Sequence, residues 1–341
     1  MVRAFEWLDD GSTLRMLDQT VLPLEESYLN VHTVDALVDA IVSLAVRGAP
    51  ALGAVGAFGV AVAMRQAEAE GWSEDRLAIE VDRVRQARPT AVNLSWGVDQ
   101  AWAVASEGYA AVLTRAKQVA AEDEAANRKL SKLGADWILA TCRADAVRVV
   151  THCNTGALAT TAWGTAYGII HELFDRSALT SVFADETRPL LQGARLTSWE
   201  LTQDGIPHVV EADGAASSTI LSGKVDVAII GADRIAANGD TANKIGSVAL
   251  ALACQRRGIP FVVAAPFSTV DLATESGDEI EIEQRDEAEV LGFVGVRTTP
   301  LSSVGFNPAF DVTPHDLISA IVTERGIVEP SAGKGQLSSL A

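Results

Sequence analysis

The sequence is poor in cysteine and in aromatic residues. Its 341 residues include three cysteines, and aromatic residues make up 6% of the chain. Cys142, Cys153 and Cys254 are odd in number and match no zinc-ligand spacing. Such unpaired thiols are typical of a reducing compartment. We therefore expect a cytoplasmic protein without a zinc site.

Positive charge is also scarce. The chain has 27 Lys and Arg residues against 45 Asp and Glu residues, which gives a formal net charge of −18. Nucleic acids and anionic membrane surfaces are bound by cationic patches, so neither is expected as a partner. A phosphate ligand would have to be held by local Arg, Lys and backbone N–H groups.

Long apolar runs and an N-terminal secretory signal are missing. The longest apolar stretches are rich in Ala and Gly and contain polar residues, so no membrane-spanning helix is predicted. Hydrophobic residues nevertheless make up 48% of the chain and charged residues 21%, a composition that supports a sizeable core. The length allows one large or two ordinary domains.

A dinucleotide-binding fingerprint is absent as well. Gly53, Gly56 and Gly59 have the spacing G-x-x-G-x-x-G with no strand before them, which favours close helix packing. After the first strand of the second half, the sequence is Cys-Asn-Thr-Gly rather than Gly-x-Gly. These features argue against a nicotinamide-dependent oxidoreductase.

Residues 1–145 are predicted to form a mainly helical domain. A hairpin around Asp10-Gly11 opens it, and Thr33 has the character of an N-cap for a helix over 34–46. Pro50 is suited to the first turn of the next helix, predicted over 51–68. Further helices are expected to about Arg143.

Residues 146–341 are predicted to form a Rossmann-like domain with a parallel sheet, so the fold class is α/β. Apolar β-branched runs alternate with helical segments, as in parallel sheets with crossover connections. The predicted strands are Val147–Thr151, Ser181–Ala184, His208–Glu211, Val225–Ile230 and Phe261–Ala265. The predicted helices are 157–175, 189–204, 215–221 and 244–257, with a last helix capped by Thr313 and begun by Pro314.

The ends of three predicted strands carry the chemically interesting residues, because carboxyl ends of parallel strands share one edge. Cys153 precedes a predicted helix start, where partial positive charge would stabilise a thiolate able to move a proton. The competing interpretation is an inert, half-buried cysteine. Asp185-Glu186 is assigned a structural role with Arg188, as ion pair and cap.

The polar stretch 231–246 is predicted to be a loop between a buried strand and a helix. It brings a carboxylate (Asp233), an amide (Asn243) and a cation (Lys244) to the sheet edge. Asp233 could act as an acid if apolar surroundings raise its pKa. An ordinary solvated strand-to-helix turn is the alternative.

Other candidates lie outside that stretch. Arg47-Gly48-Ala49-Pro50 combines an arginine with free N–H groups at a helix start, a plausible phosphate site, and Arg88-Pro89-Thr90 is a weaker one. Gln192 follows the second strand and could face the same cleft. The histidines have no ligand spacing, and no metal is assigned.

Several stretches taken together resemble one family over nearly the whole chain. They are Arg47–Gly53, Arg88–Leu94, Cys153–Ala159, Asp185–Pro189, Leu191–Thr197, Gly231–Gly246 and Asn307–Pro314. They resemble the methylthioribose-1-phosphate isomerases of methionine salvage. These enzymes share a superfamily with ribose-1,5-bisphosphate isomerases and with regulatory subunits of the initiation-factor nucleotide-exchange complex.

The resemblance implies a homodimer that converts an aldose 1-phosphate to a ketose 1-phosphate without a metal or an organic cofactor. It places the catalytic pair on Cys153 and Asp233. It places the substrate contacts on Arg47, Gly48, Ala49, Arg88, Gln192, Asn243 and Lys244.

The sequence departs from the family pattern at 93–97, at 211–216 and at 246–248. None of these positions is Cys153 or Asp233. The departures leave open a related substrate, such as 5-deoxyribose 1-phosphate or ribose 1,5-bisphosphate. A non-catalytic regulatory protein of the same superfamily is the alternative from another class.

Overall fold

The computed structural model describes residues 2–88 and 92–341. The chain divides into two compact units. The first, here called the helical unit, contains residues 1–129 and 155–168; the second, the sheet unit, contains residues 130–154 and 169–341. The predicted boundary at 145/146 falls within the stretch 130–154 of the sheet unit, and as a division between folding domains it stays a prediction.

The elements have the following bounds. The α-helices are α1 (Val34–Val42), α2 (Ala49–Glu70), α3 (Glu74–Arg85), α4 (Val92–Trp102), α5 (Tyr109–Cys142), α6 (Ala166–Asp175), α7 (Ser198–Gln203), α8 (Asp213–Leu221), α9 (Ser247–Arg257) and α10 (Ala288–Leu291). The strands are β1 (Phe5–Trp7), β2 (Leu14–Leu17), β3 (Tyr28–Val31), β4 (Val147–Thr151), β5 (Leu179–Asp185), β6 (His208–Glu211), β7 (Val227–Ile230), β8 (Arg234–Ala236), β9 (Thr241–Lys244), β10 (Phe261–Ala264), β11 (Val270–Asp271), β12 (Gly292–Phe293), β13 (Val296–Arg297), β14 (Phe310–Thr313), β15 (Ala320–Thr323) and β16 (Gly326–Val328).

The helical unit begins with the predicted hairpin, to which an unpredicted third strand is added. β1, β2 and β3 form an antiparallel sheet in that order. The Thr33 hydroxyl accepts a hydrogen bond from the Ala36 N–H at 3.2 Å, so the predicted cap of α1 is confirmed.

Glycines let α2 and α4 approach closely. A Cβ added to Gly97 of α4 would lie 1.7 Å from the Gly53 carbonyl oxygen, and one added to Gly56 would lie 2.5 Å from the Leu94 carbonyl oxygen. No side chain fits at such distances. The packing role predicted for the glycines of α2 is therefore confirmed.

The sheet unit is built on a seven-stranded sheet, in the order β16-β15-β10-β7-β4-β5-β6. Every pair from β15 to β6 is parallel, and β16 adds an antiparallel edge. β7 and β10 are buried along their whole length, as their continuous apolar sequences require. The α/β fold class is confirmed.

The stretch 231–246 is not the predicted loop. It contains the antiparallel hairpin β8–β9, which belongs to a second sheet of order β11-β8-β9-β14. The hairpin turn runs from Ala236 to Gly239, whose N–H donates to the Ala236 carbonyl at 2.9 Å, and Gly239 has φ 95°. Asn-Gly is common in hairpin turns, a signal that the interpretation as a strand-to-helix loop missed.

Three helix predictions are also wrong in part. The predicted helix 157–175 is a short 3-10 turn at Ala157–Ala159 followed, after a loop, by α6. The predicted helix 189–204 begins instead with a π-helical turn, Gly193–Thr197, and continues as α7. Thr313 ends β14 rather than capping a helix, because the apolar residues after it form the buried strand β15.

Spanning a bilayer would need a combination of length and apolarity that none of the described helices has.

Candidate active site

The candidate site of the sheet unit lies where β7, β4 and β5 end side by side. These parallel neighbours bring their carboxyl ends to one edge of the sheet. Cys153 follows β4 by two residues, Asp233 follows β7 by three, and Asp185 is the last residue of β5. The shared edge predicted from the sequence is confirmed.

Two threonine hydroxyls fix the backbone of Cys153. Its N–H donates to Thr187 Oγ1 at 2.9 Å, and its carbonyl accepts a hydrogen bond from Thr197 Oγ1 at 2.6 Å. Cys153 has φ 62°, in the left-handed region that costs an L-residue about 1–3 kcal/mol. The cysteine is 8% exposed. The motifs around 153, 185–189 and 191–197 thus meet at one residue.

The prediction that Cys153 directly precedes an α-helix is wrong. The next α-helix, α6, begins at Ala166, and only the 3-10 turn Ala157–Ala159 lies between them. The described residues that follow Cys153 therefore offer no regular helix start beside it to stabilise a thiolate. The loop between the 3-10 turn and α6 requires a glycine at 164, because this residue has φ 93° and a Cβ there would be 2.6 Å from the Thr155 carbonyl oxygen.

Asp233, Asn243 and Lys244 lie on the β8–β9 hairpin. The Asp233 N–H donates to the Ala242 carbonyl at 2.9 Å, and the register of the hairpin places Asp233 beside Asn243. The Asn243 amide donates to Ser247 Oγ at 2.9 Å. Lys244 is 8% exposed, with its Nζ 4.5 Å from the centre of the Phe310 ring. The strand pairing thus places Asp233 beside Asn243, and Lys244 is the next residue along the same strand.

Gln192, which was predicted to face the site, has a buried polar atom. The residue is 5% exposed, and its Oε1 has no hydrogen-bond partner among the described residues. Gly193 lets this turn lie against β5, since a Cβ there would be 1.7 Å from the Asp185 carbonyl oxygen. A buried acceptor of this kind is suited to a ligand hydroxyl or amine, which would supply the missing donor.

A buried histidine that sequence reasoning set aside lies beneath the site. His152 is 1% exposed, with Nδ1 2.8 Å from Asp185 Oδ2 and Nε2 2.8 Å from the Ile245 carbonyl oxygen. Gly246, at φ 110°, lies against the ring, because a Cβ there would be 2.8 Å from Cε1. The only sequence signal was the position of His152 next to Cys153 at a strand end.

Asp185 has a different partner from the one predicted. It pairs with His152, whereas the Arg188 guanidinium donates to main-chain carbonyls, among them Glu289 at 3.2 Å and Gly292 at 3.1 Å. Asp213 accepts hydrogen bonds from the N–H groups of Thr187 and Arg188, each at 2.7 Å. The predicted ion pair of 185–186 with Arg188 is wrong.

By residue type, His152, Asp185 and Asp213 could hold a metal ion, since one ligand atom of each lies within 4.8 Å of the others. Their contacts point to hydrogen bonding instead. Both ring nitrogens of His152 and both carboxylate oxygens of Asp213 already have protein partners.

The pKa values of the buried pair are displaced in the same direction. Burial opposes a charge on His152, but the hydrogen bond and the negative charge of Asp185 outweigh it, so the pKa of His152 is raised. Burial raises the pKa of Asp185 in spite of the hydrogen bond from His152. Both directions favour retention of a proton by the pair.

The remaining predicted contacts belong to the helical unit. Arg47 precedes Gly48, the N-cap residue of α2, and Pro50 lies in the first turn as predicted. Gly48 has φ 101°, and a Cβ there would be 2.3 Å from the Ala159 carbonyl oxygen, so glycine is required. Ala49 is buried, while Arg47 and Arg88 are partly exposed. The predicted motif at 88–94 includes residues 89–91, which lie outside the described residues.

Comparison with known proteins gives consistent relatives. The profile of the initiation factor 2 subunit family matches residues 45–330. A methylthioribose-1-phosphate isomerase of Xanthomonas oryzae pv. oryzae is 50% identical over 96% of this chain and 92% of its own length. A probable bifunctional methylthioribose-1-phosphate isomerase/methylthioribulose-1-phosphate dehydratase of Nocardia farcinica is 50% identical over 94% of this chain, which spans 58% of that relative's length.

Two solved structures are similar over nearly the whole chain. The 5-methylthioribose 1-phosphate isomerase of Pyrococcus horikoshii OT3 has a TM-score of 0.86 and 36% identity, covering 97% of this chain and 93% of that chain. The translation initiation factor eIF-2B subunit delta of A. fulgidus has a TM-score of 0.84 and 37% identity, covering 97% and 96%. With most of its length matched by the profile and by relatives of 50% identity, this chain belongs to the initiation factor 2 subunit family.

Proposed function

We propose that this protein is an isomerase that converts 5-methylthioribose 1-phosphate to 5-methylthioribulose 1-phosphate in methionine salvage. The observation that carries the proposal is the site at the strand ends. There a strained, buried cysteine and an aspartate follow adjacent strands, with the buried polar groups of Asn243 and Lys244 on the same hairpin. The relatives named methylthioribose-1-phosphate isomerase support this substrate.

The reaction needs an acid to open the sugar ring. Because the anomeric oxygen carries phosphate, the ring cannot open to a free aldehyde in the ordinary way. Protonation of the ring oxygen breaks its bond to C1 and leaves a cation shared between C1 and the phosphate oxygen. We assign this protonation to Asp233. Asp233 then recovers a proton from the C2 hydroxyl as C2 becomes a carbonyl, so the acid is regenerated.

The second requirement is the transfer of hydrogen from C2 to C1. Cys153, as a thiolate, removes the C2 proton, the electron pair forms a C1–C2 double bond, and the resulting thiol protonates C1. The alternative is a direct hydride shift from C2 to the C1 cation, with Cys153 stabilising charge. In D2O, solvent deuterium at C1 of the product supports the first route, whereas complete retention of the C2 hydrogen favours the second.

Binding of the phosphate is assigned to basic groups. Lys244 is buried, so its charge is less screened than that of an exposed lysine and attracts an anion more strongly. Gln192 and Asn243 are assigned to the sugar hydroxyls. Arg47, Gly48, Ala49 and Arg88 are further substrate contacts by the family resemblance.

The test is turnover of 5-methylthioribose 1-phosphate, followed by phosphorus and proton NMR. We expect the ketose product from the wild-type protein and a loss of about 10²–10⁴-fold in kcat for C153S and for D233N. D233N should still bind substrate. C142S is the matched control, because the half-buried Cys142 is a comparable thiol that the proposed mechanism does not use.

Outcomes without turnover separate the alternatives. Activity only on 5-deoxyribose 1-phosphate or ribose 1,5-bisphosphate would replace the proposed substrate but keep the reaction. Inactivity on all three would favour the non-catalytic regulatory function, for which the likeness to the A. fulgidus protein is the relevant observation. Near-normal turnover by D233N would remove Asp233 from the mechanism.

A cytoplasmic location and a homodimeric state are part of the same proposal. Light scattering coupled to size-exclusion chromatography tests the dimer: a 35.9 kDa chain should elute with about twice that mass. A mass of one chain would contradict it.

A further inference from the structure

The two hydrogen bonds of His152 require more protons than a neutral imidazole supplies. A neutral ring carries one N–H and one bare nitrogen. Nε2 faces the Ile245 carbonyl, which can only accept, so the proton of that bond must be on the ring. Nδ1 faces Asp185 Oδ2, and that bond also needs a proton, either on the ring or on the carboxyl. The pair as built therefore holds one proton beyond a neutral histidine and a carboxylate.

The imidazole joins two parts of the candidate site. Its backbone precedes Cys153, and its Nε2 bonds to the residue that follows Lys244. The turn after Lys244 is fixed from another direction by Asp311, whose Oδ2 accepts hydrogen bonds from the N–H groups of Gly246 at 2.9 Å and Val248 at 3.3 Å. The ring also fills the space in front of Gly246. The Nε2 bond ties the turn to the end of β4, and the Nδ1 bond to Asp185 fixes the ring that makes it.

We propose that His152 and Asp185 are positioning residues whose one shared proton holds the Cys153 strand end and the Lys244–Gly246 turn in place relative to each other. The inference rests on the proposed function for the roles of Cys153 and Lys244. Neither member of the pair is assigned to touch substrate.

The surroundings of the ring retain the proton. Carboxylates face it from several elements: Asp185 at the end of β5, with Glu186 next to it, Asp213 at the start of α8, and Asp311 on β14. Cys153 is the titratable neighbour along the chain. When folding raises the pKa of a histidine, the histidine stabilises the fold fully at a pH below its ordinary pKa of about 6.5. This stabilisation is lost as the pH rises through the raised pKa. The two bonds should thus hold at neutral pH and fail on the alkaline side.

D185N is the decisive variant. An asparagine amide can donate to a bare Nδ1, which leaves the ring proton on Nε2 for the Ile245 carbonyl. Both bonds then persist with a neutral ring and without a proton that titrates. In the wild type, kcat should decrease on the alkaline side, where the two bonds fail. We expect D185N to keep kcat at neutral pH within a few-fold of wild type, and this alkaline decrease to shift or disappear. H152A loses both bonds and should lose about 10- to 100-fold in kcat at every pH, with a smaller change in KM.

H171N is the matched control. His171 also lies between carboxylates, 3.2 Å from Asp175 and 3.7 Å from Asp204, but on α6 and outside the proposed mechanism. Its replacement should leave the pH profile of kcat unchanged. A purely structural role of the His152 pair predicts instead that D185N lowers activity equally at all pH values, and that result would overturn the inference.

Nitrogen-15 NMR of the imidazole tests the shared proton without any activity. In the wild type, Nε2 should be protonated and the pair should keep its extra proton through the ordinary histidine range. A ring with a bare Nε2 at pH 7 would refute the inference even if the enzyme turned over substrate. Conversely, inactivity of the wild type with the shared proton present would refute the proposed function but not the positioning role. The rate of Cys153 alkylation in the wild type, D185N and H152A would then test that role. A higher rate in H152A alone supports it, and equal rates in all three proteins overturn it.

Discussion

Cys153 is held in its conformation by hydrogen bonds from distant parts of the sequence. Thr187 accepts from its N–H, and the same hydroxyl donates to the Asp185 carbonyl at 3.0 Å. Thr187 is itself at φ 64° and is fully buried. Two strained residues thus support one another, which is typical of sites where geometry is fixed before substrate binds.

At this scale, T187V should affect both stability and catalysis. Valine preserves the shape but leaves the buried Cys153 N–H without an acceptor, which costs about 1–3 kcal/mol. We expect that loss in urea unfolding, together with a lower kcat. T202V is the control, because the exposed Thr202 hydroxyl bonds only within its own helix, to the Ser198 carbonyl at 2.7 Å. Unchanged stability of T187V would contradict the role given to the hydroxyl.

The residues that sequence reasoning selected differ in one respect from the histidine that it set aside. Cys153 and Asp233 were selected because strand ends are visible in the sequence and parallel strands share an edge; their catalytic roles stay a prediction. His152 was set aside because its pairing is with Asp185 on a neighbouring strand, 33 residues away. No local pattern encodes that pairing, and a strand-end histidine is not distinguished from one that merely packs.

At the scale of elements, the contact of α2 with α4 depends on glycine. G97A places a methyl group 1.7 Å from the Gly53 carbonyl oxygen, so the two helices must separate. We expect a loss of about 1–3 kcal/mol or more in thermal or urea unfolding. In G214A, by contrast, the new Cβ on α8 meets no atom within 4 Å, and stability should stay equal or rise slightly. Equal effects of the two variants would show that the contact is not tight.

The tip of the β8–β9 hairpin is fastened by a carboxylate. Asp240 accepts hydrogen bonds from the Asn238 amide at 2.8 Å, the Gly277 N–H at 3.0 Å, and both the N–H and Nδ1 of His315 at 2.8 Å. Burial alone would raise its pKa, but these bonds lower the pKa of Asp240 from 3.8 to about 2. A carboxyl group with a lowered pKa stabilises the fold at a pH above its ordinary pKa of 3.8, and this stabilisation is lost as the pH falls towards 2.

D240N should therefore be destabilised most at neutral pH. The contribution is about 1 kcal/mol after allowance for solvent screening. We expect the difference in unfolding free energy between wild type and D240N to be constant from pH 7 to about pH 5 and to shrink as the pH falls below 4. Urea unfolding across that range measures it. A difference that does not depend on pH would show that lost packing, rather than charge, is responsible.

Strands were predicted more accurately than loops, for a physical reason. Val147–Thr151 and His208–Glu211 match the predicted bounds residue for residue. Val147–Thr151 is a β-branched run in the covered part of the sheet, and such runs are easy to recognise. The hairpin β8–β9 has a turn signal in Asn-Gly, but its short strands contain Ala, Asn and Lys, which are not typical strand residues. β9 is stabilised as a strand by its pairing with β8 and β14.

At the scale of the molecule, charge is the dominant long-range term. The net charge of −18 means that most surface charges repel one another, and exposed ion pairs contribute only about 0–1 kcal/mol each. Raising the salt concentration from 0.1 M to 1 M shortens the Debye length from about 10 Å to about 3 Å and screens that repulsion.

We therefore expect the melting temperature to rise with salt. A gain of about 1 kcal/mol corresponds to about 1–2 °C, because the unfolding entropy of about 2 cal/mol/K per residue scales with chain length. Thermal melts in NaCl and in KCl check it, and the two salts should act alike because the effect is screening. A melting temperature that falls with both salts would mean that favourable ion pairs outweigh the net repulsion.

The path of the chain between Asn154 and Ile169 limits how the protein can be divided. Residues 155–168 belong to the helical unit, where Gln19 donates to the Leu158 carbonyl at 2.8 Å and the Thr161 N–H donates to Asp123 at 2.8 Å. A gene fragment that stops at residue 145 would encode the helices without these partners. The shortest contiguous fragment with the whole helical unit ends at 168, and it carries β4 and Cys153 with it. A truncation experiment therefore cannot separate the helices from the cysteine to which the proton transfer is assigned.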